Sequence, residues 1–259
     1  MPEGDTVWKT AQLQHAALAG AVLTGCHIRV PRFATVDLTG ETVHAVVARG
    51  KHLFHRIGEF SIHSHLKMEG VWRAYRPGER WQRPAHLARA VLDTADVQAV
   101  GFELGLLEVI PTSDEERVVG HLGPDLLGPD WDPALAVERL AAAPEVPLFV
   151  ALLDQRNLAG VGNVYANEIC FLRGMLPTRP VGETPDLPRV VDLAERMLQA
   201  NKQRFTRSTT GDLRPGRQTW VYGRTGKPCR RCGTTLLGGE LGRVEGQERV
   251  VTWCPRCQS

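Results

Sequence analysis

The sequence predicts an α+β chain, in which an N-terminal antiparallel β-sandwich with flanking helices is followed by a helical domain and a terminal cysteine ribbon. Short β-rich runs punctuated by turn residues recur at regular spacing from Val22 to about Ile110, as in sandwiches and barrels. Helix formers dominate from Asp132 to Asn201. Cys229-x-x-Cys232 and Cys254-x-x-Cys257 then stand with twenty-one residues between the pairs. At 259 residues the chain is long enough for two compact units.

Asp5 or Thr6 can cap a first helix, whose apolar Val7, Ala11 and Leu18 recur at helical spacing before Gly20 ends it. Strands are predicted over Cys26 to Val30, Glu41 to Ala48, His52 to Ile57, Ser61 to His65, Gly70 to Ala74, Leu87 to Leu92 and Val97 to Phe102. The β-sandwich domain then covers residues 1–119. Residues 120–130 are rich in Gly, Pro and Asp and read as a linker. Asp132 and Pro133 supply an N-cap and a first helical residue for a helix ending near Ala143. Further helices are predicted over Pro147 to Gln155, Val164 to Leu172 and Leu187 to Asn201, giving a helical domain over 131–222 and the ribbon over 223–259. Between the ribbon's cysteine pairs, Leu236 to Arg243 and Glu248 to Trp253 suit a hairpin that presents Arg243 or Arg249 to a ligand.

The net charge of +2 hides an asymmetry. Residues 201–259 hold twelve Lys and Arg against four Asp and Glu, whereas residues 1–200 hold 19 against 25. A basic C-terminal lobe suits a polyanion such as nucleic acid, and a solvated surface is the plain alternative. The apolar run Ala16 to Leu23 is eight residues long and lacks a basic leader, so neither a signal peptide nor a membrane span is expected. Cys26 and Cys170 are isolated and read as buried small hydrophobes, a usage that fits a reducing cytoplasm.

Two tight turns carrying two thiols each deliver four thiolates to one tetrahedral ion, so the double Cys pair predicts a single structural Zn2+ with no open coordination position. At the other end, small Pro2 favours removal of Met1, which leaves a secondary amine. Such an amine attacking a sugar C1′ gives an iminium ion that persists as an electron sink, and Glu3 is placed to move protons beside it. Many chains begin Met-Pro without any such chemistry. Lys51 lies on a tight turn where a flexible ammonium can reach a base or phosphate, although most turn lysines only face water. His63 and His65 share a strand face beside Lys67, which also suits an ordinary sheet surface. Gly160-Val161-Gly162-Asn163 opens a helix and could cradle a phosphate on its first N–H groups.

Met1-Pro2-Glu3-Gly4, Arg49-Gly50-Lys51, Ser64-His65-Leu66-Lys67-Met68, Leu122-Gly123-Pro124-Asp125, Leu153-Asp154-Gln155 with Gly160 to Asn163, Val221-Tyr222-Gly223-Arg224 and the terminal cysteines occur in that order. Together they resemble the formamidopyrimidine-DNA glycosylase and endonuclease VIII family over essentially the whole chain. The resemblance implies that residues 131–222 form a helix-two-turns-helix domain and 223–259 a zinc finger. It implies Pro2 as nucleophile, Glu3 as general acid and Lys51 as a contact to the lesion-bearing nucleotide. DNA contacts are implied at His65, at Met68 filling the void of a flipped-out base, at Asn163 on a phosphate and at Arg249 of the finger. The family often carries a glutamate where this chain has Thr6. The purine-lesion branch has an Arg-Arg-Phe-Gly intercalation loop where this chain reads Val100-Gly101-Phe102-Glu103-Leu104-Gly105. That difference points to the endonuclease VIII branch and to oxidised pyrimidines.

The expected activity is therefore a bifunctional DNA glycosylase and AP lyase working by β,δ-elimination. The expected partner is damaged DNA, and the expected protein is a monomer at the cytoplasmic nucleoid without membrane association. Alternatives are an 8-oxoguanine or formamidopyrimidine-type glycosylase, a non-catalytic zinc-ribbon DNA-binding protein that gives Pro2 and Glu3 no purpose, and an unrelated N-terminal amine hydrolase.

Overall fold

The computed structural model describes residues 2–244 and 246–259. Met1, whose removal the sequence predicts, lies outside the described residues. The chain divides into two compact units, residues 1–121 and 122–259.

The first unit begins with helix α1 (Gly4–Leu18), whose N-cap is Glu3. This corrects the expected cap at Asp5 or Thr6. The Glu3 carbonyl accepts from the N–H groups of Thr6 and Val7, both at 3.0 Å, so the first turn closes before either side chain could cap it. Val7, Ala11 and Leu18 are buried as the helical spacing predicts, and Gly20 takes the turn beyond the helix at φ +85°.

Two antiparallel four-stranded sheets follow. One has the order β1 (Gly25–Ile28), β6 (Ala88–Asp93), β7 (Gln98–Phe102), β5 (Val71–Tyr75). The other has the order β2 (Val43–Arg49), β3 (His52–Ile57), β4 (Phe60–His65), β8 (Leu106–Pro111). Leu18, Leu23, Val43, Leu53, Ile57, Ile62, Leu92 and Ala99 meet in one core and are at most 1% exposed. Burial on this scale is the main force holding sheet to sheet.

The sequence reading missed β8 and the short helix α2 (Glu115–Val119). Strand β8 lies at a sheet edge, paired only with β4 from Phe60↔Pro111 to His65↔Leu106. An edge strand tolerates a terminal proline and need not alternate, so its pattern is weak.

In the second unit, the segment expected as a linker instead contributes Leu122 and Leu126 to buried structure, at 5% and 0% exposure. Asp125 bridges Ala159, with Ala159 N–H donating to the Pro124 carbonyl at 2.9 Å. Glycine and proline here permit a close backbone approach: a Cβ on Gly123 would lie 2.6 Å from the Arg156 carbonyl oxygen. Helices α3 (Pro133–Ala141), α4 (Leu148–Leu153), α5 (Asn163–Leu172) and α6 (Leu187–Asn201) enclose Leu140, Phe149, Leu152, Tyr165, Ile169, Val191 and Leu198. Strands β9 (Leu237–Leu241) and β10 (Arg249–Trp253) form the predicted hairpin, and α5 packs on β10.

Candidate active site

Pro2 is half-buried and immediately precedes Glu3, which is 0% exposed. Glu3 caps α1 through its backbone alone, at φ −125° and ψ −173°, and its carboxylate makes no capping hydrogen bond. Pro2 lies beside the N-terminal end of a helix of 15 residues, the positive end of the helix dipole. Thr6 turns its hydroxyl onto the Asp5 carboxylate at 3.3 Å.

Lys51 occupies the two-residue turn between β2 and β3, closed by the Arg49↔His52 pair. Gly50 supplies the positive φ, +57°, that such a hairpin turn requires at its first position. The sheet beneath it carries a row of imidazoles. His52 Nδ1 lies 2.8 Å from His63 Nε2, and His63 Nδ1 lies 2.8 Å from Glu108 Oε1. The His52 ring meets the His65 ring edge-on at 5.3 Å. Burial, reinforced by His63 and His65, holds the His52 pKa down at about 3. Burial and then the Lys67 and Lys51 charges hold that of His65 at about 4, so Lys51 and His65 act within one electrostatic neighbourhood. His65 Nδ1 accepts from the Lys67 N–H at 2.9 Å, shaping a loop where Lys67 has φ +54°. Met68 stands on that loop, 58% exposed, an apolar side chain offered to solvent.

In the second unit, α4 and α5 are joined by turns that Gln155 ties together. Its Nε2 donates to the Leu153 and Val161 carbonyls at 2.8 Å, and its Oε1 accepts from Gly160 N–H at 3.1 Å. This delivers Asn163 as the first residue of α5, 5% exposed. Arg249 opens β10 as an exposed side chain whose Nη1 donates to the Glu248 carbonyl at 3.2 Å. Arg243, the other predicted hairpin arginine, lies 3.4 Å from Asp154, which Arg156 also holds bidentately. Both hairpin arginines are exposed, and Arg243 is the one drawn toward Asp154.

The Sγ atoms of Cys229, Cys232, Cys254 and Cys257 all lie within 4.8 Å of one another. Tetrahedral metal–sulfur bonds of about 2.3 Å place sulfurs roughly 3.8 Å apart, so four thiolates in this cluster can enclose one ion. Each pair sits on a tight turn, with Gly233 N–H donating to the Cys229 carbonyl at 2.9 Å and Gln258 N–H to that of Cys254 at 3.1 Å.

Pro2, Glu3, Lys51, His65 and Met68 belong to the first unit, and Asn163, Arg249 and the cysteines to the second. Sequence reasoning missed two buried residues of α5. Glu168 accepts from the N–H groups of Trp220, Val221 and Tyr222 at 2.7 to 2.8 Å and from the Thr209 hydroxyl. Burial pushes its pKa up while those donors pull it down. Asn167 bonds both Asn163 and β10. The signal available was two consecutive polar residues, Asn167-Glu168, between Ala166 and Ile169 in a helix that is otherwise apolar after Asn163 and Tyr165.

Residues 1–103 match the family described as the formamidopyrimidine-DNA glycosylase N-terminal domain, and residues 122–200 match the formamidopyrimidine-DNA glycosylase H2TH domain. The chain is 57% identical to the DNA-(apurinic or apyrimidinic site) lyase Nei2 of Mycolicibacterium smegmatis, covering 100% of this chain and 99% of that protein. It is 54% identical to the probable endonuclease 8 2 of Streptomyces coelicolor, covering 100% and 94%. The crystal structure of the Lactococcus lactis enzyme Fpg in complex with abasic-site DNA matches with a TM-score of 0.82 at 25% identity, covering 99% of each chain.

Proposed function

This chain belongs to the formamidopyrimidine-DNA glycosylase and endonuclease VIII family, and from that premise we propose that it is a bifunctional DNA glycosylase and AP lyase acting on oxidised bases in DNA. The observation that carries this reading is the pair at the start of α1: a proline amine next to a fully buried carboxylate that does not cap its own helix.

In the proposed reaction the Pro2 nitrogen, freed by loss of Met1, attacks C1′ of a flipped-out nucleotide and the glycosidic bond breaks. The base departs with the bonding electrons and takes up a proton. Glu3 protonates the ring oxygen, opening the sugar to an iminium ion on Pro2. Loss of a C2′ proton expels the 3′ phosphate and a second elimination expels the 5′ phosphate, after which water releases Pro2. Lys51, on its hairpin turn near His65, contacts the lesion-bearing nucleotide. Met68 fills the vacated stack, while Asn163 and Arg249 hold the backbone. The four cysteines fit Zn2+, which when bound supplies a structural cross-link that fixes the hairpin bearing Arg249.

Oxidised pyrimidines are the favoured substrates. Residues 100–102 are buried in β7, and only residues 103–105 connect it to β8, which supports the absence of a purine-branch intercalation loop here. The names of the 57% and 54% identical relatives support the same branch.

Borohydride reduction should trap the protein covalently on abasic or lesion DNA when its N-terminus is shown by mass to be Pro2. No adduct under those conditions would overturn the mechanism. Single-turnover excision should favour thymine glycol or dihydrouracil over 8-oxoguanine, and the reverse preference would refute the branch assignment.

A further inference from the structure

Asn163 carries a side-chain amide, which presents either a donor or an acceptor depending on which way round it sits. Only the donor end suits a phosphate oxygen. Backbone N–H groups have no such ambiguity, and one of them fixes the choice. The N–H of Thr252, on β10, lies 2.7 Å from the Asn167 amide, so the atom it meets must be an acceptor, Oδ1. The other end of Asn167 is then NH2. It donates to the Asn163 main-chain carbonyl at 2.8 Å, to the Asn163 side chain at 3.1 Å and, sharing its hydrogens, to the Val250 carbonyl at 3.3 Å. Because Asn167 offers a donor, the Asn163 atom facing it must be Oδ1. The Asn163 NH2 therefore points away from Asn167.

We propose that Asn167 is a positioning residue that transmits the polarity of β10 to Asn163, locking the Asn163 amide with its NH2 toward a DNA phosphate. Asn167 is 0% exposed, so it acts only through Asn163 and β10. The relay runs from the Thr252 N–H to Asn167, then to Asn163, then to phosphate, each amide polarising the next. It also explains why α5 tolerates a polar residue at this fully buried position: the hydrogen bonds link the phosphate-binding helix to the strand that starts with Arg249. The inference rests on the proposed role of Asn163 as a phosphate contact.

Asn167→Asp and Asn167→Ala separate polarity from packing. Aspartate still accepts from Thr252 N–H but offers no donor, so the Asn163 amide reverses and turns its oxygen toward the phosphate. Alanine leaves the Asn163 amide free to adopt either orientation. Affinity for a duplex bearing a tetrahydrofuran abasic-site analogue should fall about tenfold in Asn163→Ala, the scale of one lost hydrogen bond. It should fall at least as far in Asn167→Asp and less in Asn167→Ala, although alanine, which strands the buried Thr252 N–H, should lower Tm more. Adding Asn167→Asp to Asn163→Ala should change affinity no further, with bound metal unchanged throughout. If the aspartate weakens binding equally in the Asn163→Ala background, its charge or a fold defect is responsible and the relay is refuted. If Asn163→Ala weakens binding and neither Asn167 variant does, the relay is likewise refuted. Unchanged affinity in Asn163→Ala alone would instead remove the phosphate role of Asn163, and the relay with it. Should Asn167→Asp fail to fold, additivity of Asn167→Ala with Asn163→Ala overturns the proposal and non-additivity upholds it.

Discussion

Pro2 and Glu3 carry different parts of the proposed reaction, so their substitutions should fail differently. Pro2→Gly should lose or strongly weaken borohydride trapping while retaining affinity for abasic DNA. Glu3→Gln should slow base excision by roughly 10²–10⁴-fold, the range of a lost general acid. Near-normal single-turnover kinetics in either variant would refute the assigned role. His55 makes a separate prediction. It is 0% exposed, its two ring nitrogens have no hydrogen-bond partner, and its ring lies 4.3 Å from that of Trp72. Burial holds its pKa at about 3, against 6.5 for the free group. Protonation therefore favours the unfolded chain, and the stability at stake is fully present above pH 6.5 and is lost as the pH falls toward 3. At pH 5 the loss from this one group is about 2 kcal/mol. His55→Phe, which keeps a ring against Trp72, should flatten the dependence of Tm on pH between 7 and 5. An unchanged slope would show that His55 is not its source.

At the scale of elements, what the sequence revealed depended on whether a local rule governed the element. The Gly50-Lys51 turn was visible because only glycine enters its positive φ at low cost. The limits of α6 match the predicted Leu187 to Asn201, with the Asp186 carboxylate accepting from Arg189 N–H as an N-cap. Strand β8 was missed because an edge strand is set by its neighbour β4 and not by its own alternation. The hairpin between the cysteine pairs is expected to depend on a bound metal, since the four cysteines sit on its two flanking turns and strand β9 is almost wholly exposed. Stripping the metal with a strong chelator should release near-stoichiometric zinc, measured by a colorimetric indicator, and weaken DNA binding more than tenfold. Restored affinity on adding Zn2+ is expected. Unaltered binding by metal-free protein would refute a role for the cluster in holding Arg249.

Across the whole molecule, the charge bias of residues 201–259 predicts binding dominated by phosphate contacts. The logarithm of affinity for abasic-analogue DNA should fall linearly with the logarithm of salt, dropping more than about tenfold between 50 and 200 mM. A flat response would remove the electrostatic role of this lobe. The sequence by itself determined the order of the units and the four-cysteine set, and it placed Pro2 beside Glu3, because those features are written in local spacing and residue chemistry. It left the linker and the α5 amides unread. Residues 122–126 look like loop by composition, yet Leu126 enters the core of helices α3 to α6 and Asp125 bridges Ala159 far along the chain. Asn167 meets Val250 and Thr252 across 83 and 85 residues of chain. Only the tertiary structure decided which way the Asn163 amide faces, because a side-chain amide has two chemically valid orientations and its choice is made by a backbone N–H far away in sequence.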